Sequence, residues 1–94
     1  MKTEKIKQVV KRKGYKEKYD KLKVYASVYS ASLNCHHNEI DSEKIASSVT
    51  KKVTNWIKNK KLVKSSEIRS EVIKHLKGKD KDIALMYHHH LDLS

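Results

Sequence analysis

"VVKRKGYKEKYDKLKV", Val9 to Val24, sets six lysines and one arginine around a single glycine. Its reading decides the fold. The segment "KIKQVVKR", Lys5 to Arg12, is a short β-rich run that ends in charge. Lys13-Gly14 is a tight-turn signal, because Gly accepts the positive φ that a two-residue hairpin needs. "YKEKY", Tyr15 to Tyr19, alternates aromatic and charged side chains, the pattern of a half-buried returning strand. The first twenty residues therefore predict a β-hairpin. Asp20 follows at the position of a helix N-cap, where its carboxylate can accept a first-turn N–H.

Outward from the hairpin, the apolar spacing changes from two to three or four. Val24, Val28 and Ala31 share one face of a first helix, which fades at Asn34 in "LNCHHNEID". A second helix is expected to open near Asp41 or Ser42. It carries the clearest stripe in the chain, Ile45, Val49, Val53, Trp56 and Ile57, and "KNKK" closes it with cations at the end the helix dipole favours. "KLVK", Lys61 to Lys64, is a candidate third strand. Ser65 or Ser66 is the expected cap of a third helix bearing Ile68, Val72 and Leu76, with Gly78 as its stop. "DKDIALMYHHHLDL" starts with acids and runs as a fourth helix. The order β-β-α-α-β-α-α is that of an α+β domain: a small sheet of a hairpin plus one short strand, packed on about four helices. One domain over residues 1–94 is expected, with its core at about 6–91.

Composition narrows the function. Ninety-four residues leave little room for an enzyme cleft with its own lid. Twenty-two Lys and Arg against 11 Asp and Glu give a net charge of +11, which favours anionic partners without naming one. The excess is spread along the chain, so a lysine-rich solvated surface explains it as well as a binding face does. Cys35 is the single cysteine, so no intrachain disulfide forms. No apolar run approaches the roughly 20 residues of a membrane span, and no signal-peptide pattern follows the basic start. A cytoplasmic protein is expected. No Ser-His-Asp set, carboxylate pair or P-loop appears, and "RKGYKEK" lacks the Gly-Lys-Ser/Thr that a P-loop requires. No catalytic residue is assigned.

Three groups of residues carry chemistry. In the hairpin, Lys11 and Arg12 can flank an object held at its end, and Lys23 stands one turn into the first helix, beside unpaired N–H groups. Cations beside a helix N-terminus suit a polyanion such as a triphosphate. Glu17 lies among these cations, either paired with them or accepting from a ligand's amino group. The alternative is a solvated hairpin with a local ion pair. The histidines of "CHH", Cys35 to His37, and "HHH", His88 to His90, are good zinc ligands by type. Adjacent side chains on a helix diverge by about 100°, so packing or surface roles are expected and no metal site is assigned. Trp56 falls on the core stripe. Tyr25 and Tyr29, four apart, more often pack than stack bases. Together with Tyr87 they are expected on exposed helix faces.

The hairpin segment resembles the opening signature of the ATP-cone family: a strand ending Val-x-Lys-Arg-x-Gly, then an aromatic or aliphatic residue and Asp, then a helix with Lys near its start. "NEIDSEKIASSVTKKVTNWI" resembles that family's central helix. "LVKSSEIRSEVIKHL" resembles its Val-Ser-Ser-x-x-Ile segment, and "KDIALMYHHHLDL" its closing helix. The resemblance runs from about Ile6 to Leu91. It departs at Lys13, where an acid is usual, and at "YHHH", Tyr87 to His90, so no base contact is assigned to the last helix. No Cys-x-x-Cys ribbon precedes the hairpin in this sequence and no reductase domain follows.

The resemblance implies a regulatory module that binds ATP or dATP, with or without Mg2+, and has no catalysis of its own. Such modules occur on ribonucleotide reductases and on the zinc-ribbon repressor of their genes. By position, it implies that Lys11 and Arg12 are the basic hairpin pair, Glu17 its acid and Lys23 the helix lysine. Val9, Tyr19 and Val24 match the apolar wall around the base, and Ser65 and Arg69 lie close to phosphate. Nucleotide-dependent assembly follows as the expected output, through a homo-oligomer or an unidentified protein partner. The alternative reading is a basic nucleic-acid-binding or transcription-regulatory protein. Here any DNA contact is expected to be weak and non-specific.

Overall fold

Short strands precede the first and third helices. In the computed structural model, residues 8–10, 14 and 16–93 are described, with side chains through His89. Strand β1 is Gln8–Val10 and β2 is Lys16–Lys18. Helix α1 is Lys21–Asn34 and α2 is Glu39–Ile57. Strand β3 is Leu62–Lys64, followed directly by α3, Ser65–Lys77, and then by α4, Lys81–Leu93. The fold is α+β, as the sequence predicts. Lys11, Arg12, Lys13 and Tyr15 lie outside the described residues.

The sheet has the order β2-β1-β3. β1 and β2 are antiparallel with Val9 opposite Glu17, and β1 and β3 are parallel with Val9 opposite Val63. Gly14 has a φ of 91°, the left-handed backbone expected of the turn glycine. Because side chains alternate across a strand, Val9 and Val63 share the inner face, and both are buried.

The larger core lies among the helices. α1 packs on α2 and α4, and α3 packs on α4 and α2. Val28, Val49, Val53, Val72, Leu76 and Ile83 are fully buried at their centre. The α2 stripe is shifted from the expected one: Ala46 is buried, whereas Ile45 and Trp56 are half-buried at its edges. Lys60 Nζ sits 4.7 Å from the centroid of the Trp56 ring. Where α1 and α2 approach, Ser42 donates to the Ser32 hydroxyl at 2.9 Å, and both residues are fully buried.

The helix caps depart from the sequence reading in three places. Asp20 caps α1 as expected, accepting from Leu22 N–H at 2.9 Å. α2 opens two residues earlier than expected, because Asn38 is its cap and accepts from Asp41 N–H at 2.8 Å. Neither Ser65 nor Ser66 caps α3. Its cap position is Lys64, whose side chain has no acceptor. Gly78 follows the last residue of α3 with a φ of −71°, so it ends the helix without the left-handed turn that glycine usually supplies there.

Thr50 gives a test of the helical core. Its hydroxyl is buried and has no hydrogen-bond partner among the described residues. A buried hydroxyl without a partner costs about 1–3 kcal/mol, and valine has nearly the same shape. Thr50→Val is therefore expected to stabilise the protein by about 1 kcal/mol, read as a higher midpoint in urea at unchanged slope. A lower midpoint would show that the hydroxyl is satisfied in solution.

Candidate functional site

The hairpin, the start of α1, the start of α3 and the middle of α4 enclose one cleft of about 140 Å³. β1 contributes Val9 and β2 contributes Glu17 and Lys18. The β2–α1 junction contributes Tyr19 and Asp20, and the first two turns of α1 add Lys23, Val24 and Ser27. α3 lends Ser65, Ile68 and Arg69, and Tyr87 of α4 closes the back.

Each wall follows from local sequence. Glu17 is placed opposite Val9 by the hairpin register, and it is half-buried. Lys23 Nζ reaches its Oε1 at 3.4 Å, so the lone acid among the cations does pair with one of them. The lysine side chain is 68% exposed, and so open an ion pair is worth little. Lys23 can turn toward an incoming anion at small cost. Tyr19 leaves β2 pointing inward, with its hydroxyl 2.9 Å from Thr54 Oγ1. That bond ties the cleft to α2. Ser65, Ile68 and Arg69 stand at i, i+3 and i+4 on one face of α3, so a single helix turn presents all three.

The electrostatics favour an anion. Lys18, Lys23 and Arg69 face two carboxylates, Glu17 and Asp20. Two helix amino ends also meet here, and their dipoles are positive toward the cleft. The two ends differ. The end of α1 already holds the Asp20 carboxylate. At α3, Glu67 accepts the Lys64 backbone N–H at 2.9 Å, and no side-chain acceptor stands at the cap itself. The first-turn N–H groups of α3 therefore remain donors beside Ser65 and Arg69. Burial pushes the Tyr87 hydroxyl up to about 12, against the opposing pull of Arg69. Burial likewise raises Tyr19, with the Thr54 bond acting the other way. Both phenols are neutral at physiological pH and can donate.

Of the residues singled out in the sequence, Val9, Glu17, Tyr19, Lys23, Val24, Ser65 and Arg69 all line this cleft. Lys11 and Arg12 fall outside the described residues. Sequence reasoning missed Lys18, Ser27, Ile68 and Tyr87 as lining residues, and it placed Asp20 only as a cap. Ser27 was findable, since it lies four residues after Lys23 on the same helix face. Tyr87 corrects an expectation: it is buried, 4% exposed, and not part of an outer face. Tyr25 and Tyr29 are half-buried and stack, with ring centroids 6.2 Å apart.

A family model described as "ATP cone domain" matches residues 7–89. The chain belongs to the ATP-cone family. This is a family of regulatory nucleotide-binding modules, and the cleft lies within the matched span of this ATP cone. No curated protein matches the chain.

The histidine clusters stand apart from the cleft. His37 Nε2 is 2.9 Å from Asp80 Oδ2, and the Cys35 thiol donates to the Asp82 carbonyl at 3.4 Å. The first joins the α1–α2 turn to the α3–α4 turn, and the second joins it to the first turn of α4. The hydrogen bond from His37, then the Asp82 N–H, holds the Asp80 carboxyl below its usual value. His36 takes a φ of 68° in the same turn. Among the described residues no three His, Cys, Asp or Glu side chains converge as metal ligands, and no helix is long and apolar enough to cross a membrane.

Proposed function

We propose that residues 1–94 of this ATP cone act as one non-catalytic regulatory unit that binds a purine nucleoside triphosphate, ATP or dATP, in the cleft. The observation that carries this is the uncapped amino end of α3, with Ser65 and Arg69 in its first two turns, facing Lys23 across an apolar wall. The base lies against Val9, Tyr19, Val24 and Tyr87, and Glu17 accepts from an exocyclic amino group. The phosphates lie toward Lys23, Ser65 and Arg69. Lys11 and Arg12, which follow Val10 directly in the chain, supply the remaining charge, and Mg2+ accompanies the phosphates where it binds. A cleft of about 140 Å³ is smaller than the roughly 300–1,000 Å³ of small-molecule pockets. It therefore encloses the base and leaves the triphosphate on the open, cationic side.

The unit works in the cytoplasm and its output is assembly. A nucleotide shifts an equilibrium between states only by its differential affinity for them. The linked states are a homo-oligomer or a complex with a protein partner. Calorimetric titration with ATP and with dATP, each with and without magnesium, is expected to show saturable binding at a small whole number of sites per chain, in the micromolar range. Sedimentation with and without each nucleotide is expected to show a change of assembly. Absence of heat and of thermal shift with both nucleotides would overturn the reading.

A further inference from the structure

From Lys44 to Ser66 the chain has seven lysines and no aspartate or glutamate. Most of this stretch is α2, whose helical geometry sorts it into two sides. At about 100° per residue, Lys44, Ser47, Ser48, Lys51, Asn55 and Lys58 fall within an arc of about 100°. All are exposed except Ser48, which is half-buried. None of the three lysines forms an ion pair among the described residues, where the pairs are Lys23–Glu17, His37–Asp80, Lys74–Glu71 and His75–Glu71. The result is a straight stripe about 21 Å long, with a cation every two turns and small hydrogen-bonding side chains between.

We propose that this outer face of α2 is a docking surface for the phosphate backbone of a nucleic-acid duplex, bound without regard to sequence. Lysine with Ser and Asn is the chemistry that contacts phosphate oxygens. Twenty-one ångströms matches the rise of roughly six base pairs. The stripe has no arginine to grip a guanine edge in two-point fashion, so it carries no base readout. A membrane surface fits less well: the apolar side of α2, with Ala46, Val49, Val53 and Ile57, is buried in the core, and the one exposed apolar residue in line with the stripe, Ile40 one turn before Lys44, is too little to insert into lipid. An acidic protein would want a dry apolar anchor at the centre of the contact, which the stripe lacks. A single strand would want an open aromatic platform, but Trp56 is half-buried beneath Lys60. This surface is independent of the nucleotide cleft and does not rest on that reading.

The test compares two charge-matched triple variants on the full chain. Lys44→Gln/Lys51→Gln/Lys58→Gln removes the stripe. Lys74→Gln/Lys77→Gln/Lys81→Gln removes three cations from the α3–α4 side, where Glu71, Asp80 and Asp82 are interspersed. Fluorescence anisotropy follows a short labelled duplex of scrambled sequence. The stripe variant is expected to lose at least about tenfold in affinity at roughly 50 mM salt, and its salt slope is expected to fall by about 2.7, near 0.9 for each lost contact. The control variant is expected to keep its slope. Equal losses in both variants would show that net charge alone drives binding and would overturn the proposal. So would wild-type protein that binds anionic lipid vesicles and not the duplex. A measurement without variants guards against misfolding: the duplex should protect Lys44, Lys51 and Lys58 of the wild-type chain from acetylation, and not Lys74, Lys77 and Lys81. Uniform protection or none would count against the stripe.

Discussion

Replacing Lys11, Arg12 and Lys23 together by alanine is expected to remove measurable ATP binding while leaving the melting temperature nearly unchanged. Hydrogen bonds to charged groups contribute about 1.5–3 kcal/mol each. Each single change should therefore weaken binding by roughly 10- to 150-fold, and the three together should exceed the range of calorimetry. The fold has little to lose at Lys23. It is exposed, and its ammonium pairs with Glu17 at 3.4 Å; such surface pairs contribute about 0–1 kcal/mol. The single variants add information because they need not be equal. Lys23 stands on a helix that the Asp20 cap and the Tyr19–Thr54 bond hold in place. The backbone that carries Lys23 is therefore positioned before ligand arrives, which leaves only the side chain to be ordered, and a smaller ordering cost returns more of the contact energy as affinity. ATP affinity unchanged in the triple variant would reduce the hairpin to a solvated cationic face.

The cleft was legible in sequence where local rules place a side chain. The hairpin was legible but its register was not: a two-residue turn at Lys13-Gly14 would set Val9 opposite Lys18, whereas the strands set it opposite Glu17. An N-cap at Asp20 fixes the phase of α1, so Lys23 and Val24 follow. Ser65 and Arg69 came from the family resemblance and not from any spacing rule, yet they share a face because they are four apart on α3. What was not legible is what only packing decides. Nothing in "LMYHHH" says which aromatic or imidazole ring turns inward. Apolar Leu85, on the same turn as Tyr87, is 68% exposed, whereas Tyr87 is buried. The capping errors have one cause as well. Ser65 and Ser66 are good caps by type, but β3 runs straight into α3 without a loop. The cap position thus falls on Lys64, the last strand residue, and the serines lie inside the first turn. The start of α2 was placed near Asp41 or Ser42, both cap residues by type, although an acid such as Asp41 also suits the first turn behind a cap at Asn38. In both places the local signal was present and its phase was set by the neighbouring element.

Tyr87 joins the core to the cleft, and its substitution should separate the two. Truncation of a buried aromatic to alanine costs about 3–5 kcal/mol, and Tyr87 is packed with the cluster that holds Val28, Leu76 and Ile83. Tyr87→Ala is therefore expected to be severely destabilised and to bind no nucleotide, since the back of the cleft goes with the ring. Tyr87→Phe keeps the ring and should keep most of the stability. Its difference from the wild-type chain should appear at high pH. In the folded protein the hydroxyl ionises only at about 12, compared with 10.0 for an ordinary tyrosine. Below that ordinary value the phenol is neutral in both folded and unfolded chains. As pH rises through the window between the two values, the unfolded chain releases the proton and the folded chain holds it. Ionisation then favours the unfolded state, and stability falls with rising pH. Tyr19, also raised by burial, adds to the same slope and remains in the Phe variant. Urea midpoints across this window should thus fall steeply for wild type and less steeply for Tyr87→Phe. Parallel curves would mean that Tyr87 is not buried in solution, and the back wall of the cleft would have to be redrawn.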